Sequence, residues 1–157
     1  WVVENPLVTL EVLAPFTVTT HIRDSVVFEH PRGASAQWVA LGEGCVDWQS
    51  FMKMYRERCS GAVMQLENIT GRPPQVLPYL EATFWNAFPH ANAGEFARFV
   101  AMVKSGRPLM GAMVVEDVTG QQVPEYDAAL RAQQLHDLER GFEFARRVLG
   151  AGVRGRA

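Results

Sequence analysis

Apolar and polar positions repeat with two different periods along this chain, and the switches between them mark its elements. Asn5 followed by Pro6, with Leu7, Leu10 and Ala14 on one face, predicts a short helix that Pro15 stops. Residues 16–22, Phe-Thr-Val-Thr-Thr-His-Ile, are β-branched and aromatic without a helical stripe, which predicts a strand. The polar stretch 23–36, with Pro31 and Gly33, reads as a loop, followed by an extended 37–41 and the turn Gly42-Glu43-Gly44. Asp47 caps a second helix in which Trp48, Phe51, Met52 and Tyr55 share a face. Residues 62–68 form the next strand, apolar until its polar carboxyl end. The prolines and glycine of 69–78 predict an irregular loop.

Further along, Asn92 and Glu95 make a capping-box-like pair ahead of a helix over 93–105, with Phe96, Phe99, Val100 and Val103 as its stripe. Residues 109–115 are apolar and extended or irregular. A long helix is expected over 124–149, with Gly150 as its stop, and the tail 151–157 is expected to fray. This alternating α and β order predicts parallel strands whose carboxyl ends carry function. Two or three parallel strands cannot bury themselves, so the pattern reads as part of a barrel.

Composition narrows the classes. The 157 residues are 48% hydrophobic and 20% charged with a net charge of −2, which disfavours a nucleic-acid-binding module. No apolar run approaches the roughly 20 residues of a membrane-spanning helix. Two cysteines without metal or redox spacing suit a reducing cytoplasm. The chain starts at Trp1 without methionine or a signal peptide, as a piece of a longer protein would.

Both strands end in polar chemistry. His21 and Glu67 on neighbouring parallel strands would meet at the carboxyl-terminal rim, an imidazole and a carboxylate that make half of a site for Mn²⁺, Mg²⁺, Co²⁺ or Zn²⁺. Taken singly, each is better explained as a capped or hydrogen-bonded histidine and a surface glutamate; their equivalent placement on consecutive strands favours the metal reading. Asp24 either orients the His21 imidazole or closes a local turn. Gly42, Glu43 and Gly44 have the spacing of a phosphate-binding turn, though spacing alone favours a tight turn with no ligand. His30, Arg32 and Arg72 fall on the same predicted loops as possible hydroxyl or phosphate contacts, whereas His90 and His136 read as surface residues. Phe84, Trp85 and Phe88 read as a lid or a subunit contact, which leaves a homo-oligomer open.

The runs Val18-Thr19-Thr20-His21-Ile22-Arg23-Asp24-Ser25, Leu41-Gly42-Glu43-Gly44-Cys45-Val46-Asp47-Trp48 and Met64-Gln65-Leu66-Glu67-Asn68 resemble the last two βα units of the xylose-isomerase-like TIM barrels. The resemblance covers residues 1–70. It implies an α/β fold, the carboxyl-terminal half of a (β/α)8 barrel, with 1–78 as its last two βα units. An added helical or irregular segment then occupies 79–123, and 124–150 forms a closing outer helix. In that family a divalent metal is held by a Glu and an Asp from earlier strands, by the His of an H-x-x-D/E stretch and by a Glu ending the last strand. His21 and Glu67 match the last two, and the Asp-bearing strand would end just upstream of Trp1. Val27 stands where the ketose epimerases carry an arginine.

The implied activity is a sugar or sugar-phosphate isomerase/epimerase acting on a small sugar. It removes a proton beside a carbonyl through an enediolate, with Glu67 as ligand and as acid or base and His21 neutral. Arg32, Gly42, Glu43 and Gly44 would contact the substrate. The alternatives are a metal-dependent phosphodiesterase or endonuclease of the same superfamily, which the balanced charge disfavours, and a non-catalytic fragment.

Overall fold

The computed structural model describes residues 3–110 and 115–152. The expected tail beyond Gly152 and the centre of the 109–115 segment lie outside the described residues.

Helix α1, Pro6–Leu13, starts as its residues dictate: the Asn5 side chain accepts a hydrogen bond from the Leu7 amide at 2.9 Å, and Pro6 sits where no amide is needed. A short 3-10 turn, Ala14–Phe16, leads into strand β1, Thr19–Ile22. Leu10 and Ala14 are buried there with Tyr55 and Cys59 of the second helix region.

A β-hairpin takes the place of the predicted loop. Strands β2, Asp24–His30, and β3, Gly33–Val39, pair antiparallel along their full length around Pro31-Arg32, from Asp24↔Val39 to His30↔Gly33. Gly33 is required at the tip: its φ is +144°, and a side chain would collide with the Leu77 carbonyl. That carbonyl belongs to strand β5, Gln75–Leu77, which pairs antiparallel with Ala34–Ala36 of β3, so the predicted 69–78 loop also contributes a strand.

Helix α2, Trp48–Arg58, is capped by Asp47, whose carboxylate accepts from the Ser50 amide at 3.0 Å. It returns the chain to strand β4, Val63–Leu66, which pairs parallel with β1 in the register His21↔Gln65 and Ile22↔Leu66. Next come a 3-10 segment, Ala82–Ala87, helix α3, Ala93–Ser105, capped by Asn92, and helix α4, Pro124–Arg147. The described strands therefore form a two-stranded parallel sheet and a three-stranded antiparallel sheet in a mixed α/β fold, with no closed barrel among them.

Each sheet has its own core. Helix α3, from the segment expected to be an addition, packs on β2 and buries Phe99 and Val103 against Val27, Ala34, Ala36 and Leu77. Phe84 and Phe88 pack against this core, and Trp85 meets Phe96 edge-on at 4.8 Å. These aromatics are thus engaged within the chain. The parallel pair is covered on one face only: Ile22 and Leu66 join Trp48 and Met52 of α2 and Ala145 of α4. Side chains alternate along a strand, so Thr19, His21, Val63 and Gln65 occupy the opposite, exposed face.

Candidate functional site

The predicted pair sits at the carboxyl ends of β1 and β4. His21 is the third residue of β1. Glu67 stands one residue past β4, where its amide extends the ladder by donating to the Ile22 carbonyl at 2.9 Å. Both line one cavity of about 390 Å³. Parallel register and strand alternation put them on the same side of the sheet, as the sequence predicts.

Two residues that sequence reasoning did not single out complete this wall. The Arg23 guanidinium donates to Glu67 Oε2 at 3.2 Å and lies over the Trp38 ring, 4.6 Å from its centroid. Arg23 stands two positions after His21, the spacing that returns a strand to one face, and this was the available signal. Trp38 lies in the segment read as extended, but its pairing opposite Ser25 in the hairpin, which places it beside Arg23, was not read.

Asp24 is placed elsewhere. It is 2% exposed, and its hydrogen bonds come from the Ser25 amide at 2.9 Å, the Gly42 amide at 2.9 Å, the Gly44 amide at 3.1 Å and the Trp48 indole at 2.7 Å. None involves His21. The local-turn reading therefore describes this carboxylate better than the imidazole-orienting one. Burial pushes its pKa up, against the pull of the Trp48, Gly42, Ser25 and Gly44 donors.

The Gly42-Glu43-Gly44 turn does hold a carboxyl group, but an internal one. Its glycine amides converge on Asp24, and a side chain on Gly44 would collide with that carboxylate. Those amides are not open to a phosphate. Glu43 is ion-paired with Arg140 of α4. Arg32 lies at the hairpin tip, bonded to Glu81, with its second nitrogen 3.1 Å from Glu81 Oε2. The structure thus separates the predicted substrate contacts Arg32 and Glu43 from the His21–Glu67 cavity, neither of them lining it.

Among the other singled-out residues, His30 accepts from the Arg32 amide at 3.2 Å and stabilises the hairpin turn. His136 and Arg72 border a second cavity of about 490 Å³ beside α4. The Cys45 thiol, on the wall of the His21 cavity, donates to the Ser25 carbonyl at 3.0 Å, and burial followed by the Asp24 charge pushes its pKa up. It is a packed thiol rather than an activated one.

The donor chemistry of His21 and Glu67 suits a divalent metal, yet among the described residues no group of three or more His, Cys, Asp or Glu is placed to hold one. Among those residues, too, no helix is long and apolar enough to cross a membrane. No protein-family model, curated protein or solved structure matches this chain.

Proposed function

We propose that this chain carries part of the active site of a sugar or sugar-phosphate isomerase/epimerase, within the carboxyl-terminal half of a TIM-like barrel. The observation that carries the reading is the placement of His21 and Glu67 at the carboxyl ends of adjacent parallel strands on the wall of one cavity. A parallel pair sheathed by helices on one face and bare on the other is what two neighbouring barrel strands look like when the strands that fill the interior are not beside them. This supports the barrel assignment.

In this proposal His21 and Glu67 are two ligands of a divalent ion whose other donors come from outside the described set. When bound, such an ion supplies polarisation of the substrate carbonyl. The chain's own residues supply the rest. His21 offers a ring nitrogen lone pair to the site. Glu67 takes the proton from the carbon beside the carbonyl through a carboxylate oxygen, and an acid on the opposite side returns one to the neighbouring position or face. Arg23 holds Glu67 in position before substrate arrives, through the 3.2 Å ion pair.

The test is entry of solvent deuterium into a ketose at the carbon beside its carbonyl, followed by NMR. Glu67→Gln should slow that exchange by about 10² to 10⁴, and both Glu67→Gln and His21→Ala should lower the divalent metal measured by mass spectrometry. No exchange across a ketose panel, with metal content unchanged in both variants, removes the proposal. Nicking of an abasic duplex would point instead to the hydrolytic branch.

A further inference from the structure

We infer that Trp38 is a positioning residue for Glu67 and acts through Arg23: the indole holds the guanidinium, and the guanidinium holds one oxygen of the carboxylate and leaves the other for the reaction. The inference rests on the isomerase/epimerase reading above and adds a residue to its proton transfer.

Arg23 is the single residue between β1, which ends at Ile22, and β2, which starts at Asp24, so it stands at the corner where the parallel sheet passes into the antiparallel one. Its side chain links the two sheets. On one side the guanidinium is 3.2 Å from Oε2 of Glu67, just past the end of β4. On the other it lies over the ring of Trp38, on β3, 4.6 Å from its centroid. Trp38 is opposite Ser25 in the hairpin register, and the hairpin is itself fixed: β5 pairs along β3, and Phe99 and Val103 of α3 pack against Val27, Ala34 and Ala36. The ring is therefore delivered to the corner by a packed element.

The ion pair needs such a support. Its two side chains are 30% and 36% exposed, and a pair that open to water gains little attraction while it has to hold two long side chains in one geometry. The cavity also offers a competing acid. Glu4 lines it as well as Glu67, whereas Arg23 is the one arginine or lysine among the described lining residues. A guanidinium laid over an indole gains a second attraction and loses freedom, because the cation must stay over the ring while its N–H groups reach the carboxylate. That restraint favours one carboxylate in one orientation. Among the described residues no group hydrogen-bonds Glu67 Oε1, so pairing at Oε2 leaves Oε1 for the proton transfer.

Two measurements test this. The first needs no substrate: NMR of the arginine side chains reads rotation of each guanidinium about its Nε–Cζ bond, with the Arg23 signal assigned by its loss in Arg23→Met. Rotation at Arg23 should be slower than at Arg72, which has no ion pair among the described residues, and that slowing should be lost in Trp38→Ala and kept in Trp38→Phe. The second is deuterium exchange beside the carbonyl of a ketose. Trp38→Ala should lower kcat by about tenfold and leave KM within about twofold, since a misplaced base costs rate rather than binding. Trp38→Phe should keep most of the rate, and Trp38→Leu, which fills the space without a ring, takes the place of Trp38→Ala if that variant does not fold. Because the ring acts through the guanidinium, adding Trp38→Ala to Arg23→Met should cost nothing further. Free rotation of Arg23 in the wild type, a raised KM with unchanged kcat in Trp38→Ala, equal losses in Trp38→Phe and Trp38→Ala, or additive losses in the double variant would each overturn the inference and leave the isomerase reading standing. Absence of exchange in the wild type would remove that reading and the role of Trp38 in it, even with the guanidinium held.

Discussion

Asp24 and Glu67 are carboxylates beside the ends of the same two parallel strands, and the chain treats them oppositely. Asp24 is buried and saturated by donors from Ser25, Gly42, Gly44 and Trp48, so its oxygens are spent within the fold. Glu67 has a side chain 36% exposed, with an ion pair to Arg23 and a cavity in front of it. Sequence position marked both acids as functional candidates, Glu67 as ligand and acid or base and Asp24 as an orienting or turn-closing carboxylate. What separates them is whether neighbouring backbone amides converge on the carboxylate, and that depends on a turn twenty residues away along the chain.

Removing each acid tests the contrast. Asp24→Ala strips a partner from three backbone amides and an indole, and should destabilise the fold by about 3 kcal/mol or more in urea denaturation. Glu67→Gln, at a partly exposed ion pair, should change stability by less than about 1 kcal/mol. Similar losses from the two variants would erase the distinction.

A finer test uses pH. The folded pKa of Asp24 is raised, so the folded protein binds this proton more readily than the unfolded chain. Its contribution to stability is therefore fully present below the ordinary carboxylate value and is lost as pH rises through the folded value. Wild type should gain stability relative to Asp24→Asn as pH falls from neutral into the acid range, measured by urea midpoints at each pH. A gap that narrows toward acid would show that the hydrogen bonds, not burial, dominate. The smallest effect belongs to Arg32→Ala at the exposed hairpin tip, which should leave both the urea midpoint and deuterium exchange unchanged, in keeping with its distance from the His21 cavity.

Elements with helical stripes and side-chain caps were legible in the sequence. Asn5, Asp47 and Asn92 each cap a helix in the structure, and the apolar faces of α2 and α3 are the buried ones. The parallel pairing of β1 with β4, which puts His21 and Glu67 on one face of the sheet, was legible from strand ends that turn polar. The hairpin was not. Its inner residues Ala34, Ser35 and Ala36 are small, so their near-complete burial under neighbouring elements leaves no hydrophobic signature, and Pro31-Arg32 lacks the usual two-residue turn signal. Strand β5 was hidden by the prolines that flank it, since it is short and paired on β3. Without the hairpin the pairing that sets Trp38 beside Arg23 was not legible, and without the Asp24 contacts nothing showed what the glycine turn holds.

The turn around Gly42 also bears on where this chain could accept extra residues. A solvent-side connection between a strand and a helix, rich in glycine, is ordinarily the first choice for splicing in a tag or a second domain. Here such an insertion would pull two amides off a buried carboxylate and unseat Trp48 with it.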